Sequence, residues 1–332
     1  MDSFVSLIQA AVVFGTVIMF GAVGETLTEK SGNLNLGVPG IMYLGAIASL
    51  TSTFFYENAV ENPSMIVCVL IALVCGVAAS MLGGLVYSFL TITLRANQNV
   101  SGLALSIFGS GVANFFGGSL NKLAGGVGQI SVATTSAAFR MQIPGLSKLG
   151  IVGKIFFSYG FMMYLAIIIA IVMQYFLSRS RAGLNLRAVG ENPATADAAG
   201  INVTLYKYAA TCVGAAICGL GGLYYVLDYN QGIWATTDQI EALGWLAVAL
   251  VIFTTWKPLN AIWGAYLFGM LYWLYQFLPS LLGITVSSAM TDLIQMLPYV
   301  VTIGVLIVVS LRKKKENQPP AHLGLAYFRE ER

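Results

Sequence analysis

Apolar residues in this chain come in long runs rather than in the short periodic stripes of a soluble domain. The runs lie at about 5 to 23, 36 to 55, 65 to 92, 100 to 117, 155 to 178, 205 to 227, 241 to 255, 259 to 278 and 292 to 310. A bilayer core about 30 Å thick is crossed by roughly 20 apolar residues of helix, so each run predicts a membrane span. A buried helix of a large soluble protein would explain one such run but not nine. The expected fold is all-α: a polytopic transmembrane bundle of about nine spans, with a range of eight to ten. The transmembrane domain is expected to occupy residues 1–311, and a basic, polar tail follows at 312–332.

Composition agrees. Hydrophobic residues make up 57% of 332 positions and charged residues 9%, with a mean hydropathy of +0.78, more apolar surface than a soluble core conceals. When the connections are assigned alternately to the two sides, thirteen Lys and Arg fall on one side and four on the other. The four, Lys122, Arg140, Lys148 and Lys154, share the long segment 118–154, and long loops obey the positive-inside rule least. This places the N-terminus outside and the C-terminus in the cytoplasm. The predicted spans hold no Asp, Glu, Lys or Arg away from their ends, which argues against proton or ion coupling and for an uncharged solute. Cys68, Cys75, Cys212 and Cys218 lack metal-ligand spacing and read as packing residues, and His322 reads as a solvated tail residue. Gly153-Lys154 lacks the rest of a phosphate-binding loop, so ATP hydrolysis is expected elsewhere, with no cofactor in this chain.

Two segments break the apolar pattern. Thr28 to Gly40 contains Asn33, Asn35, three glycines and Pro39, and regular helix is expected to begin no earlier than Pro39. The segment reads either as a broken helix bordering a solute pathway or as a turn that starts a helix. The second, at about 179–204, contains a short helix: Asn192 caps it, Pro193 opens it, Ala194 to Ala199 favour it, and Gly200 ends it in a left-handed conformation. About two turns of helix are marginal alone and dock either on the bundle or on another subunit. Small residues four apart, Ser80 with Gly84, Gly214 with Cys218 and Gly222, and Ala215 with Gly219, mark closely packed helix faces.

Three stretches carry a resemblance. Glu29 to Met42 with Leu44-Gly45-Ala46, Leu186 to Pro193 continuing through Ala198 to Val203, and Leu243 to Leu250 followed by Trp256-Lys257-Pro258 and Leu267-Phe268-Gly269 resemble the inner-membrane permeases of ribose and branched-chain amino acid ABC importers, in the nucleoside permease branch. The resemblance implies a bacterial inner-membrane importer working by alternating access. A second identical or paralogous permease, two ATPase subunits that bind ATP and Mg, and an extracellular or periplasmic substrate-binding protein would complete it. It implies that Arg187, Gly190, Glu191, Asn192, Pro193, Ala196 and Gly200 form the ATPase-coupling segment. Pro39 departs from the acidic residue expected there in the nucleoside branch. Residues whose amides or rings suit a neutral polar solute are Asn33, Asn35, Asn99, Asn114, Tyr224 and Tyr225. The alternatives are a permease for a simple sugar or another polar solute, or a self-sufficient secondary transporter or channel. A membrane enzyme is a further alternative without a visible catalytic cluster.

Overall fold

The computed structural model describes residues 2–123, 130–142, 150–234, 239–282, 287–312 and 318–329. The apolar runs become helices, with boundaries set by local chemistry. Helix α1 spans Asp2–Lys30, α2 Val38–Ala59, α3 Met65–Ser88 and α4 Gln98–Leu123. Helices α5 (Ala133–Phe139) and α6 (Gly150–Phe156) are short, and α7 runs Phe161–Arg179. Then follow α8 (Arg181–Glu191), α9 (Pro193–Ala198), α10 (Val203–Tyr224), α11 (Gln239–Phe253), α12 (Pro258–Leu282), α13 (Ser288–Gln295) and α14 (Leu297–Arg312). Both α3 and α10 end in a five-residue π-helical turn, at Phe89–Thr93 and Tyr225–Tyr229.

Six helical segments are long and apolar enough to cross a membrane among the described residues: Ser3–Lys30, Val38–Ala59, Met65–Thr93, Gln98–Leu120, Phe161–Arg179 and Val203–Tyr229. The sequence predicted nine. The runs at 241 to 255 and 292 to 310 give helices too short to qualify, with the last divided into α13 and α14 just before Pro298. A proline near the start of α14 lacks the N–H that would continue the preceding helix. Helix α12 has 25 residues but is diluted by Trp263, Tyr266, Trp273, Tyr275 and Gln276, which lower its hydropathy.

The centre of the bundle is α1, against which α10 and α12 pack, with α2 and α3 closing around α10. Glycine lets these backbones touch. A Cβ on Gly24 would lie 2.4 Å from the Gly214 carbonyl oxygen, and one on Gly214 would lie 2.6 Å from that of Gly24. Between α2 and α10, a Cβ on Gly222 would lie 1.9 Å from the Met42 carbonyl oxygen. The small-residue faces read from the sequence therefore lie at helix contacts: Gly219 abuts Ser80, and Gly84 abuts Ala215. Cys218 donates its thiol to the Gly21 carbonyl at 3.3 Å, as a packing residue of this seam.

Part of the long segment 118–154 is ordered against the bundle. Helix α5 packs on α3, and the carboxylate of Glu57 accepts from both the backbone N–H of Thr135 (2.7 Å) and its hydroxyl (2.6 Å). An antiparallel bridge joins Ser131 to Ile233, fastening this segment to the turn that follows α10. Residues 124–129 and 143–149 lie outside the described residues.

Candidate solute pathway and coupling face

Helix α1 does not stop where its apolar run stops. No glycine or proline interrupts Glu25-Thr26-Leu27-Thr28-Glu29-Lys30, so the helix continues nearly two further turns to Lys30, and Gly32 just beyond it sits at φ +84°. The extension carries Glu25 and Glu29 into the protein, 0% and 2% exposed. This corrects the expectation of charge-free spans, as does Lys207, buried one turn inside α10. The i, i+4 spacing that sets both carboxylates on one face was visible in the sequence. Their burial was not, because the groups that receive them come from distant segments.

Those groups surround the connection 31–37. Asn35 donates its backbone N–H to Glu25 at 3.0 Å, and its side-chain oxygen accepts from Gly37 N–H at 2.8 Å. The Trp256 indole N–H donates to Glu29. Leu34 N–H donates to the Gln98 side chain at 2.7 Å, and the Leu34 carbonyl accepts from the Tyr87 hydroxyl. Asn33, fully buried, donates to the hydroxyls of Thr91 and Thr211 at 3.3 and 3.2 Å. Irregular backbone at such depth persists because protein groups replace the lost helical hydrogen bonds. Two acceptors in this knot, Glu25 Oε2 and Asn33 Oδ1, have no hydrogen-bond partner among the described residues. Pro39 sits in the first turn of α2, where a missing N–H costs nothing, and packs against α11: a Cβ on Gly244 would lie 2.6 Å from Pro39 Cα.

The six residues expected to line a solute pathway fall in separate places. Asn33 and Asn35 share the knot. Tyr224 and Tyr225 lie at the other end of α10, their rings buried. Tyr224 is tilted against Phe20 at 6.3 Å, while Tyr225 stacks on Tyr229 at 5.3 Å and donates its hydroxyl to Gln239. Asn99 and Asn114 are exposed on α4, 15 residues and so about 22 Å apart along the helix. Asn114 stands among exposed Ile107, Phe108 and Phe115, its amide 3.5 Å from the Ser110 hydroxyl.

The segment expected to couple holds two helices, α8 and α9, rather than one. The Ser180 hydroxyl accepts from Gly183 N–H and opens α8, which the sequence reading left as connection. Asn192 caps α9 by accepting from Thr195 N–H at 3.0 Å, Pro193 occupies its first turn, and Gly200 takes φ +83°, as the sequence predicted. One side of this pair is built into the bundle: Val189, Ala196 and Val203 form a small core with Tyr206 and Tyr327, and Pro193 is buried. Gly190 presses on the knot so closely that a Cβ would lie 2.3 Å from the Lys30 carbonyl oxygen. The other side, with Arg187, Glu191, Asn192, Thr195 and Gly200, is exposed.

The sequence reads the tail as basic and polar, with His322 in solvent. Instead, residues 318–329 lie across α8 and α9. His322 N–H donates to the Gly190 carbonyl at 3.0 Å, Ala321 N–H to Glu191 at 3.3 Å, and Gln98 to the Leu325 carbonyl at 3.3 Å. Asp197 accepts from the Tyr327 hydroxyl at 3.0 Å and from Arg329 Nε at 3.1 Å, while Arg95 lies over the Phe328 ring at 4.7 Å. His322 is partly buried, and burial together with the nearby Lys207 charge lowers its pKa below the ordinary imidazole value. Composition marked this segment as polar, but its partners are more than a hundred residues away in sequence.

A model of the family described as "Branched-chain amino acid transport system / permease component" matches residues 7–309. The chain belongs to that family. It is a permease subunit of an ABC transporter, and its apolar helices are the spans of a multi-span membrane protein. It is 30% identical over 324 residues to the nucleoside ABC transporter permease protein NupC of Lactococcus lactis, covering 97% of this chain and 96% of that one. It is 31% identical over 270 residues to the guanosine ABC transporter permease protein NupQ of Bacillus subtilis, covering 79% of each. TsgC13 of Haloferax volcanii, named provisionally as a glucose ABC transporter permease protein, is 34% identical over 265 residues, covering 80% of this chain and 75% of that one. No solved structure matches the chain.

Proposed function

We propose that this permease carries a nucleoside across the bacterial cytoplasmic membrane as part of an ATP-driven importer. The observation that carries the reading is the nearly end-to-end match to NupC, a protein named for nucleosides. In this reading a second permease copy or paralogue completes the pathway, a substrate-binding protein delivers solute at the 118–154 side, and two ATPase subunits bind ATP and Mg. Helix α9 is the coupling element. Its inner face, Pro193 and Ala196, is fixed to the bundle, and its outer face is open to a partner, so force applied outside reaches α10 and the knot. The buried Glu25, Glu29 and Lys207 remove the charge argument against secondary transport. Family membership favours the ABC reading instead.

Nine crossings with an outside N-terminus remain the proposed topology, with α11, α12 and α14 completing it. Asn33 and Asn35 lie at the pathway's cytoplasmic end, Tyr224 and Tyr225 at its outer end, and the exposed Asn99 and Asn114 of α4 face the second permease. A sugar is the competing substrate, because TsgC13 is named for glucose. The test is uptake into proteoliposomes holding the permease, its ATPases and its binding protein. Labelled guanosine should enter only with ATP; ATP-dependent entry of glucose and not guanosine would transfer the assignment to sugars. Uptake without any ATPase would overturn the importer reading itself.

A further inference from the structure

A cavity of about 410 Å³ opens between the start of α10, the π-turn after α3, the first residue of α4 and the tail. Its walls include Arg95, Gln98, Thr204, Lys207, Tyr327 and Arg329. Three of these are cations; the one carboxylate in the wall, Asp197, is already engaged by Arg329 and Tyr327. Lys207 differs from the other two cations. It is only 3% exposed and its ammonium makes no hydrogen bond or ion pair with another described residue, yet it lines the open space. A buried ammonium without a counter-charge is expensive in an apolar surround and is normally paired or hydrogen-bonded.

A second feature points the same way. The cavity wall includes Asn202, Val203 and Thr204, the first turn of the 22-residue α10. The Asn202 side chain caps Leu205 N–H at 3.0 Å, but the N–H groups of the first turn have no carbonyl partner within the helix. Those groups and the helix dipole favour an anion.

We infer that this cavity is a binding site for a phosphate-bearing anion, held between Lys207, the first turn of α10 and the flanking Arg95 and Arg329. The group could belong to a soluble phosphorylated compound or to the headgroup of an anionic lipid; the chemistry at the cavity is the same. Because Tyr327 and Arg329 come from the tail and Thr204 from α10, an occupied site would tie the tail over α9. Thr91 and Gln98 in its wall also hold Asn33 and Leu34 of the knot, so the cavity adjoins the cytoplasmic end of the pathway proposed above, but its test reads phosphate or lipid rather than transport and does not depend on which solute is imported.

The full-length chain is placed in nanodiscs of phosphatidylcholine and probed with labelled inorganic phosphate, then placed in nanodiscs containing phosphatidylglycerol and followed by thermal melting. At least one probe should register: saturable phosphate binding identifies the soluble source, and a raised melting temperature in phosphatidylglycerol alone identifies the lipid. Lys207→Met should weaken whichever effect is seen by about tenfold or more, since it deletes a charge-assisted hydrogen bond. Lys207→Arg should retain it, and Lys257→Met, remote from this cavity, should match the parent chain. Removal of a buried charge should not prevent folding; if Lys207→Met fails to fold, Arg95→Gln, at an exposed position, provides the same comparison. Equal response of parent and variant to both probes, or no response to either, overturns the site.

Discussion

The knot at 31–37 and the α8–α9 junction at Asn192 are punctuated alike, by Gly and Asn with a Pro in the first turn of the next helix, and they touch each other through Gly32 and Gly190, yet they are built in opposite ways. In the knot all residues but the half-buried Leu34 and Leu36 are buried, and side chains from α1, the π-turn after α3, α4 and α10 hold it. At the junction the cap is local, Asn192 to Thr195, and one side is open. Similar punctuation therefore yields a long-range anchor in one place and a self-contained handle in the other. Substitutions should separate the two.

The largest effect is expected where they meet. Gly190→Ala places a methyl group against the Lys30 carbonyl and near Gly32 N, so it should destabilise the chain by about 1–3 kcal/mol, read as a lower melting temperature in detergent. Asn33→Leu removes both bonds to Thr91 and Thr211 and should lose about 1–2 kcal/mol in the same melt. Asn192→Ala removes one capping bond, worth about 1 kcal/mol, and its effect should be local. Hydrogen exchange should rise over 193–198 while the global melt barely moves; a melt lowered as far as by Asn33→Leu would show that the handle is not self-contained. Smallest in stability is Arg187→Ala, at an exposed position, expected within about 0.5 kcal/mol of the parent. In the importer reading it should nevertheless reduce ATP-dependent uptake, so unchanged uptake would remove Arg187 from the coupling face.

The same contrast explains what the sequence made legible. The start of α9 was readable to the residue because Asn192 and Pro193 act on their immediate neighbours, and the start of α2 was readable to within one residue, Val38 entering the helix just ahead of Pro39. Glu25 and Glu29 were missed because the apolar run ends at Val23, while the helix continues through Gly24 to Lys30 on sequence that contains no proline. The tail was misread because the bonds that order it, such as Arg329 to Asp197, join positions far apart in the chain. The span count was least secure where aromatic residues dilute α12 and where Pro298 divides the last run. Of the solute-pathway residues, amide and aromatic chemistry identified plausible side chains but gave no rule for bringing them together, and they lie in three regions of the chain's surface and core.

The glycine contacts of α10 have a mechanical corollary. Gly214 meets Gly24 on one flank and Gly222 meets Met42 on another, with main-chain atoms in direct apposition on both. Helices meshed this closely cannot slide past one another, because axial travel would first require them to come apart. During a working cycle α1, α2 and α10 should consequently swing together as one lever.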